Sequence, residues 1–252
     1  MGRFGSGSHK GGEVRVADIM TESRTETANA AVQSDGTAWP DVVRLHSVTK
    51  VFGAVRALVG VSAEFRAGVV TVIEGSNGSG KSTLLALVGT LARPTSGSVD
   101  HASLGRSSAA VRSVLGWVGH ETLCYGELTG RENVELAAKL HGLPAAAAFE
   151  QASRRFELDA FAARPVRTYS RGQRQRIALA RALVHGPKLV LLDEPTAGLD
   201  EASTKTLERV VAEEAGRGAI VVVVTHDRGF AERLGGERIV LQRGRLVASA
   251  TV

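Results

Sequence analysis

The segment Gly75-Ser76-Asn77-Gly78-Ser79-Gly80-Lys81-Ser82-Thr83 constrains this chain more than any other. It follows the pattern G-x-x-x-x-G-K-[ST]. It lies between a short apolar run, residues 69–74, and an apolar-periodic stretch from Lys81 to about Leu91 that stops near Pro94. A strand, a glycine-rich turn and a helix in that order let successive backbone N–H groups converge on phosphate oxygens, and the helix adds the positive end of its dipole. Lys81 is expected to reach the β- and γ-phosphates, and Ser82 to ligate Mg²⁺. A merely flexible Gly-rich turn is the competing reading, and the flanking strand and helix argue against it. The segment implies a nucleoside triphosphate site.

Hydrolysis needs a second element, and Leu189-Val190-Leu191-Leu192-Asp193-Glu194 supplies a buried strand ending in two carboxylates. Neighbouring side chains on a strand point to opposite sides, so the two acids have different tasks. Asp193 suits the Mg²⁺ site, and Glu194 suits the attacking water. His226 follows a second buried run, residues 219–225, expected to lie beside the strand of Asp193. From there it would reach the γ-phosphate at the C-terminal edge of the sheet.

The rest of the chain alternates in a way that defines the fold class. Residues 42–51 and 55–65 read as alternating strands, residues 97–99 as a brief strand returning to them, and residues 114–118 as a buried strand. Thr129-Gly130-Arg131-Glu132 fits a capping box opening a helix that ends near Gly142. Pro144 and the alanines at 145–148 start a second helix, to about Phe156. A third starts near Arg171 with Ile177, Ala180, Leu183 and Val184 on one side. Residues 201–215 form an amphipathic helix with Gly216 just past its end. Residues 238–241 and 246–250 read as a closing hairpin around Arg243-Gly244. Apolar strands flanked by helices imply an α/β fold with a mostly parallel core sheet. An antiparallel β subdomain and a helical subdomain at about residues 122–168 complete it. No internal repeat appears.

Residues 1–40 are different: rich in Gly, Ser, Thr and Ala, without periodic apolar positions until Trp39. They read as a disordered tail, or, over residues 1–19, as a non-native extension before a start at Met20. The domain proper is residues 41–252. A 43% apolar composition excludes wholesale disorder. No secretory signal is visible, and the run at 219–225 is far too short for a membrane span. A single cysteine, Cys124, excludes an internal disulfide and a Cys-rich zinc site. Residues 42–252 hold 27 Lys and Arg against 20 Asp and Glu, a charge of +7 that suits nucleic acid, anionic membrane or phosphate-rich ligands alike. The arginines from Arg164 to Arg181 have only Tyr169 as an aromatic among them, which argues against nucleic acid.

Tyr169-Ser170-Arg171-Gly172-Gln173 opens a helix, and a Ser and a Gly at a helix N-terminus make an anion cradle. With the phosphates already held elsewhere, this cradle would serve a different nucleotide. The order of phosphate loop, Ser170-Arg171-Gly172-Gln173, Asp193-Glu194-Pro195, Leu199-Asp200 and His226 resembles the ATP-binding cassette (ABC) ATPase family over residues 42–252. That resemblance implies ATP and Mg²⁺ as cofactors and a head-to-tail homodimer in which Ser170 and Gly172 touch the γ-phosphate of the partner's nucleotide. It makes Asp200 the aspartate that crosses the dimer interface, and Phe52 the aromatic that stacks on adenine. Phe52 also reads as an ordinary core residue.

Two departures from the family stand out. Tyr169 and Arg171 occupy positions where Leu and Gly are commonest. The loop after residue 118 reads Gly119-His120-Glu121 where the family has a Gln that contacts Mg²⁺ and the membrane subunit. Gly119-His120, with Leu128-Thr129 and Glu132-Asn133-Val134, is similar to the haem-exporter ATPases of cytochrome c maturation. The resemblance implies an ATPase at the cytoplasmic face of the inner membrane, driving a separate integral-membrane subunit in haem delivery. Its alternatives are an exporter ATPase for a drug, lipid or peptide, and a non-transport ABC ATPase. His46, His101, His141 and His185 read as structural or exposed.

Overall fold

A computed structural model of the protein describes Met1 and residues 41–251. The tail expected over residues 1–40, with its alternative start at Met20, lies outside the described residues, Met1 aside. The chain divides into two units, Met1–Ala38 and Trp39–Val252, and every element below belongs to the second.

Two sheets build the fold. In the first, β1 (Val42–Phe52) is central, antiparallel to β2 (Val55–Arg66) on one side and to β4 (Ser96–Asp100) on the other. The second sheet contains β3 (Val70–Glu74), β5 (Leu115–Val118), β6 (Leu189–Asp193), β7 (Ile220–Val224), β8 (Glu237–Gln242) and β9 (Arg245–Thr251) in the order β5-β6-β7-β3-β8-β9. All pairings in it are parallel except β8 with β9. β6 and β7 are buried throughout, as strands covered on both faces must be.

The pleat sorts these strands' side chains between two cores. Val190, Leu192, Val221 and Val223 face helices α5 (Arg171–Leu183), α6 (Glu201–Gly216) and α7 (Arg228–Leu234). Leu189, Leu191, Val222 and Val224 face α1 (Lys81–Val88) and the apolar side of the first sheet, including Leu45, Leu58 and Phe65. The central sheet is therefore a filling between α1 with its antiparallel sheet and three long-range helices.

The region between β5 and α5 is helical. The short α2 (Ser108–Ser113) precedes β5, and α3 (Gly130–Leu140) and α4 (Ala145–Phe156) follow it. Thr129 caps α3 reciprocally: its side chain accepts from Glu132 N–H, and Glu132 accepts from Thr129 N–H. Arg155 of α4 reaches across to α6, 2.7 Å from the wholly buried Glu214 and 3.0 Å from Glu213. Arg217 completes the neutralisation of Glu214. A lone buried carboxylate would be costly, and two guanidinium partners offset that cost.

Some boundaries depart from the sequence pattern. α1 stops at Val88 rather than near Leu91, because Thr90 takes a left-handed backbone and Leu91 N–H then closes back on Ala86 O at 2.8 Å. α6 includes Gly216, and Gly218 makes the left-handed turn after it. Two helices had no apolar periodicity to reveal them, α2 and α7. Each is opened by a side-chain cap, Ser107 accepting from Ala110 N–H and Asp227 from Phe230 N–H. No helix among the described residues is long and apolar enough to cross a membrane.

Candidate active site

The phosphate loop begins where β3 leaves the core. Gly75 has φ 151°, and a Cβ there would lie 2.3 Å from the Leu241 carbonyl oxygen and 2.6 Å from Ser79 Oγ. Gly80, N-cap of α1 at φ 108°, would place a Cβ 2.5 Å from the Ala57 carbonyl oxygen. Only glycine fits at either end of the loop. The loop is also tied to the first sheet and to the closing hairpin. Gly244 N–H donates to Ser79 O at 3.0 Å, and Val59 N–H donates to Gly244 O at 2.8 Å.

Inside this frame Lys81 is buried, and its Nζ donates to Gly75 O (2.9 Å) and Ser76 O (3.1 Å). Two of its three donors thus hold the ammonium in the mouth of the loop. Ser79 Oγ is buried with no hydrogen-bond partner among the described residues. An unsatisfied polar atom in a curled Gly-rich loop is what an anion-binding nest would contain.

Asp193 and Glu194 do take different surroundings. Asp193 is buried, and the Ser82 hydroxyl donates to it. Burial holds the Asp193 carboxyl above its usual range. The Ser82 hydrogen bond opposes that, Glu194's charge adds to it, and the charges of Lys81 and His120 oppose it. A buried carboxylate paired with a hydroxyl is a hard oxygen donor set of the kind Mg²⁺ takes, so the residues present fit that ion. Among the described residues no three His, Cys, Asp or Glu side chains converge on a metal site, so nucleotide and water oxygens would have to complete the shell.

Glu194 leaves the strand with a left-handed backbone, φ 51°, which is uncommon for a residue with a side chain and is concentrated at functional turns. Its carboxylate turns toward β7. His226 Nδ1–H donates to Glu194 Oε2 at 2.8 Å, and His226 N–H donates to the same oxygen at 3.3 Å. The register Asp193↔Val224 makes this possible, since it puts the ends of β6 and β7 side by side. His226 also lines a pocket of about 350 Å³ with Glu74, Gly75 and Ser76, at the start of the phosphate loop.

The segment before α5 is a second reciprocal cap. Ser170 Oγ accepts from Gln173 N–H at 3.2 Å, and Gln173 Oε1 accepts from Ser170 N–H at 3.1 Å. The Ser170 hydroxyl proton is left to donate. Gly172 lies against Leu199, and the Arg171 side chain lies across Gly198, so this turn is packed beside the one carrying Asp200. Asp200 itself caps α6, accepting from Ser203 N–H at 2.8 Å. Ser170, Gly172 and Gln173 line neither the pocket at Gly75 nor a second one, of about 470 Å³, that joins His120, Arg171, Arg174 and Glu194.

Phe52 is not a core residue: it is 53% exposed, with the Lys50 ammonium 4.7 Å from its ring centroid. Tyr169, by contrast, is buried. Its hydroxyl accepts from Gly130 N–H (3.1 Å) and donates to Phe161 O (2.8 Å). The clamp by Gly244 and Ala57 on the phosphate loop was not visible in the sequence, because both contacts join residues far apart in the chain.

Fold and loop together define a P-loop nucleoside triphosphatase cassette. Residues 58–197, more than half of the chain, match the model of the family described as "ABC transporter". The chain belongs to that family and carries its ATP-hydrolysing cassette. It is 36% identical over 228 residues to the macrolide export ATP-binding/permease protein MacB of Nitrosomonas europaea, covering 84% of this chain and 34% of that protein. It thus spans about a third of the length of that relative. It is 34% identical to the daunorubicin resistance ATP-binding protein DrrA3 of Streptomyces coeruleorubidus, covering 83% and 68% respectively. Among solved structures, a dimeric bacterial ABC transporter cassette superposes with a TM-score of 0.74 at 29% identity, over 83% of this chain and 98% of that one. A post-hydrolysis dimer bound to ADP and Pi gives a TM-score of 0.72 at 31% identity, with the same coverage.

Proposed function

We propose that this chain hydrolyses ATP as a head-to-tail homodimer and drives an integral-membrane partner in export, held peripherally at the cytoplasmic face of the membrane. The observation that carries the reading is Glu194, aimed by His226 at the edge of the sheet where Ser82, Asp193 and the phosphate loop meet. Loop N–H groups, the α1 N-terminus and Lys81 bind and orient the phosphates. Ser82 and Asp193 hold Mg²⁺, which neutralises phosphate charge when bound. Glu194 accepts the proton of the attacking water, and His226 keeps its carboxylate oriented for that transfer. Ser170 and Gly172 of the partner subunit's copy of this segment cover the γ-phosphate, with Gln173 bracing Ser170. Asp200 lies at the dimer interface and Phe52 stacks on adenine.

The export reading draws on the relatives, whose names specify macrolide export and daunorubicin resistance. A further relative is a pyoverdine export ATP-binding/permease protein of Pseudomonas aeruginosa, 35% identical. The cargo proposed is accordingly a drug-like or pyoverdine-like small molecule. The membrane partner docks on the loop after β5, where Leu123 and Tyr125 are exposed and Leu123 shares a pocket with Arg171 and Arg174.

Glu194→Gln tests the chemistry. It preserves ATP binding, lowers turnover by roughly 10²–10⁴-fold and accumulates an ATP-dependent dimer in size-exclusion chromatography. Hydrolysis at the wild-type rate would remove Glu194 from its assigned role. Haem delivery for cytochrome c maturation is the second reading, favoured by Gly119-His120 and the residues 128–134 that follow; the relatives above support drug or pyoverdine export better. Deleting the gene and staining for c-type cytochromes separates the two: selective loss of haem staining favours haem delivery, and normal staining with altered drug sensitivity favours the first.

A further inference from the structure

We propose that Lys50 is a positioning residue for the nucleotide base: it caps one face of the Phe52 ring and leaves a one-sided platform on which the base stacks. The proposal rests on the reading above that Phe52 receives the base.

The hairpin of β1 and β2 sets the distance between platform and phosphates. Phe52 pairs with Val55 at its tip, and Ala57, two residues further along β2, lies against Gly80 at the end of the phosphate loop. Two strand residues span roughly 7 Å, a separation that a ribose can bridge between base and phosphates. Lys50 precedes Phe52 by two residues, the spacing that puts side chains on one face of a strand. Its ammonium sits 4.7 Å from the ring centroid. An aromatic ring has two faces, and a cation held over one leaves the other for a base. Phe52 remains 53% exposed with Lys50 in place.

Lys50 is itself anchored. Its Nζ donates to Arg93 O at 2.9 Å, in the segment that follows α1. That segment is fastened to β1 on both sides of Lys50. Thr95 N–H donates to Thr49 O at 2.8 Å, and Val51 N–H donates to Thr95 Oγ1 at 3.0 Å. Platform, cap and the chain leaving the phosphate-binding helix are thus one hydrogen-bonded unit. An arriving base meets a ring whose orientation is already chosen, so binding has less ordering cost to overcome.

Calorimetric titration of the full chain, in EDTA to prevent turnover, tests this. Lys50→Met keeps the stem and removes the charge; it should weaken ATP binding roughly two- to fivefold. Lys50→Arg should restore the wild-type affinity. Tripolyphosphate, which has no base, should bind Lys50→Met and wild type alike. In a Phe52→Ala background the effect of Lys50→Met should vanish. Unchanged ATP affinity in Lys50→Met overturns the proposal. So does an equal loss for tripolyphosphate, which would make Lys50 a phosphate contact, or a loss that persists without the Phe52 ring. Failure of the underlying reading looks different: Phe52→Ala alone would bind ATP as tightly as the wild type, and the proposal would fall with it.

Discussion

Replacing Tyr169 by Phe removes one oxygen atom from the middle of the helical region. That oxygen accepts the N–H of Gly130, which begins α3 and has no acceptor inside its own helix. It also donates to the carbonyl of Phe161, and Tyr169, Gly130 and Phe161 are all buried. The ring keeps its edge-on contact with Phe161, 5.1 Å between centroids, so no cavity forms. The cost is one buried N–H, that of Gly130, left without a partner, at about 1–3 kcal/mol; the Phe161 carbonyl keeps the Arg164 N–H at 3.0 Å. A loss of about 2 kcal/mol lowers the melting temperature of a domain this size by roughly 4–8 °C. Thr168→Ala is the internal control. It deletes a neighbouring hydroxyl that donates to Pro165 O at the surface, and its cost should stay within about 0.5 kcal/mol. Thermal unfolding followed by circular dichroism, on nucleotide-free protein, reads both. A Tyr169→Phe shift no larger than that of Thr168→Ala would refute the argument that this hydroxyl ties α3 to the segment before α5.

Two further outcomes follow from the geometry. Gly80→Ala pushes a methyl group toward the Ala57 carbonyl, which is backbone and cannot swing away, so ATP affinity measured by fluorescent-analogue displacement should fall at least roughly tenfold; unchanged affinity would show that the loop yields. His185 is held down to about 4 by burial first and by the charge of the stacked His141 second, with the Leu115 backbone opposing both. The unfolded chain takes up that proton near pH 6.5, so this stability is fully present above about 6.5 and is lost as pH falls toward 4. The slope is at most about 1.4 kcal/mol per pH unit, and less because the ring is partly solvated. Urea midpoints between pH 7.5 and 4.5 should therefore fall less steeply for His185→Gln, and parallel curves would contradict the assignment.

Much of this architecture was legible because its signals are local. The buried runs of β6 and β7, the capping boxes at Thr129 and Ser170, and the strand–loop–helix at Gly75–Lys81 each declare themselves within ten residues. α2 and α7 were not legible, since seven residues or fewer carry too little periodicity and only a single cap marks each start. The hydrogen bond between His226 and Glu194 could be anticipated from strand adjacency. Its geometry could not, because it depends on the left-handed backbone at Glu194, and nothing in Asp-Glu-Pro announces that. Tyr169 read only as a departure from Leu; its two partners, Gly130 and Phe161, are 39 and 8 residues away.

The turn at Gly244 has a mechanical consequence. Through Ser79 O and Val59 N–H, the hairpin of β8 and β9 is bolted to the phosphate loop on one side and to β2 on the other. Among the described residues β9 is the outermost strand of its sheet, paired along one side with β8. Whatever grips that free border, be it a fused domain, a partner strand or an affinity tag under load, pulls on a lever whose short arm ends at the nucleotide. The final strand is thus a handle on the catalytic loop, and a tag placed there is the first thing to move when nucleotide affinity differs between two preparations of this protein.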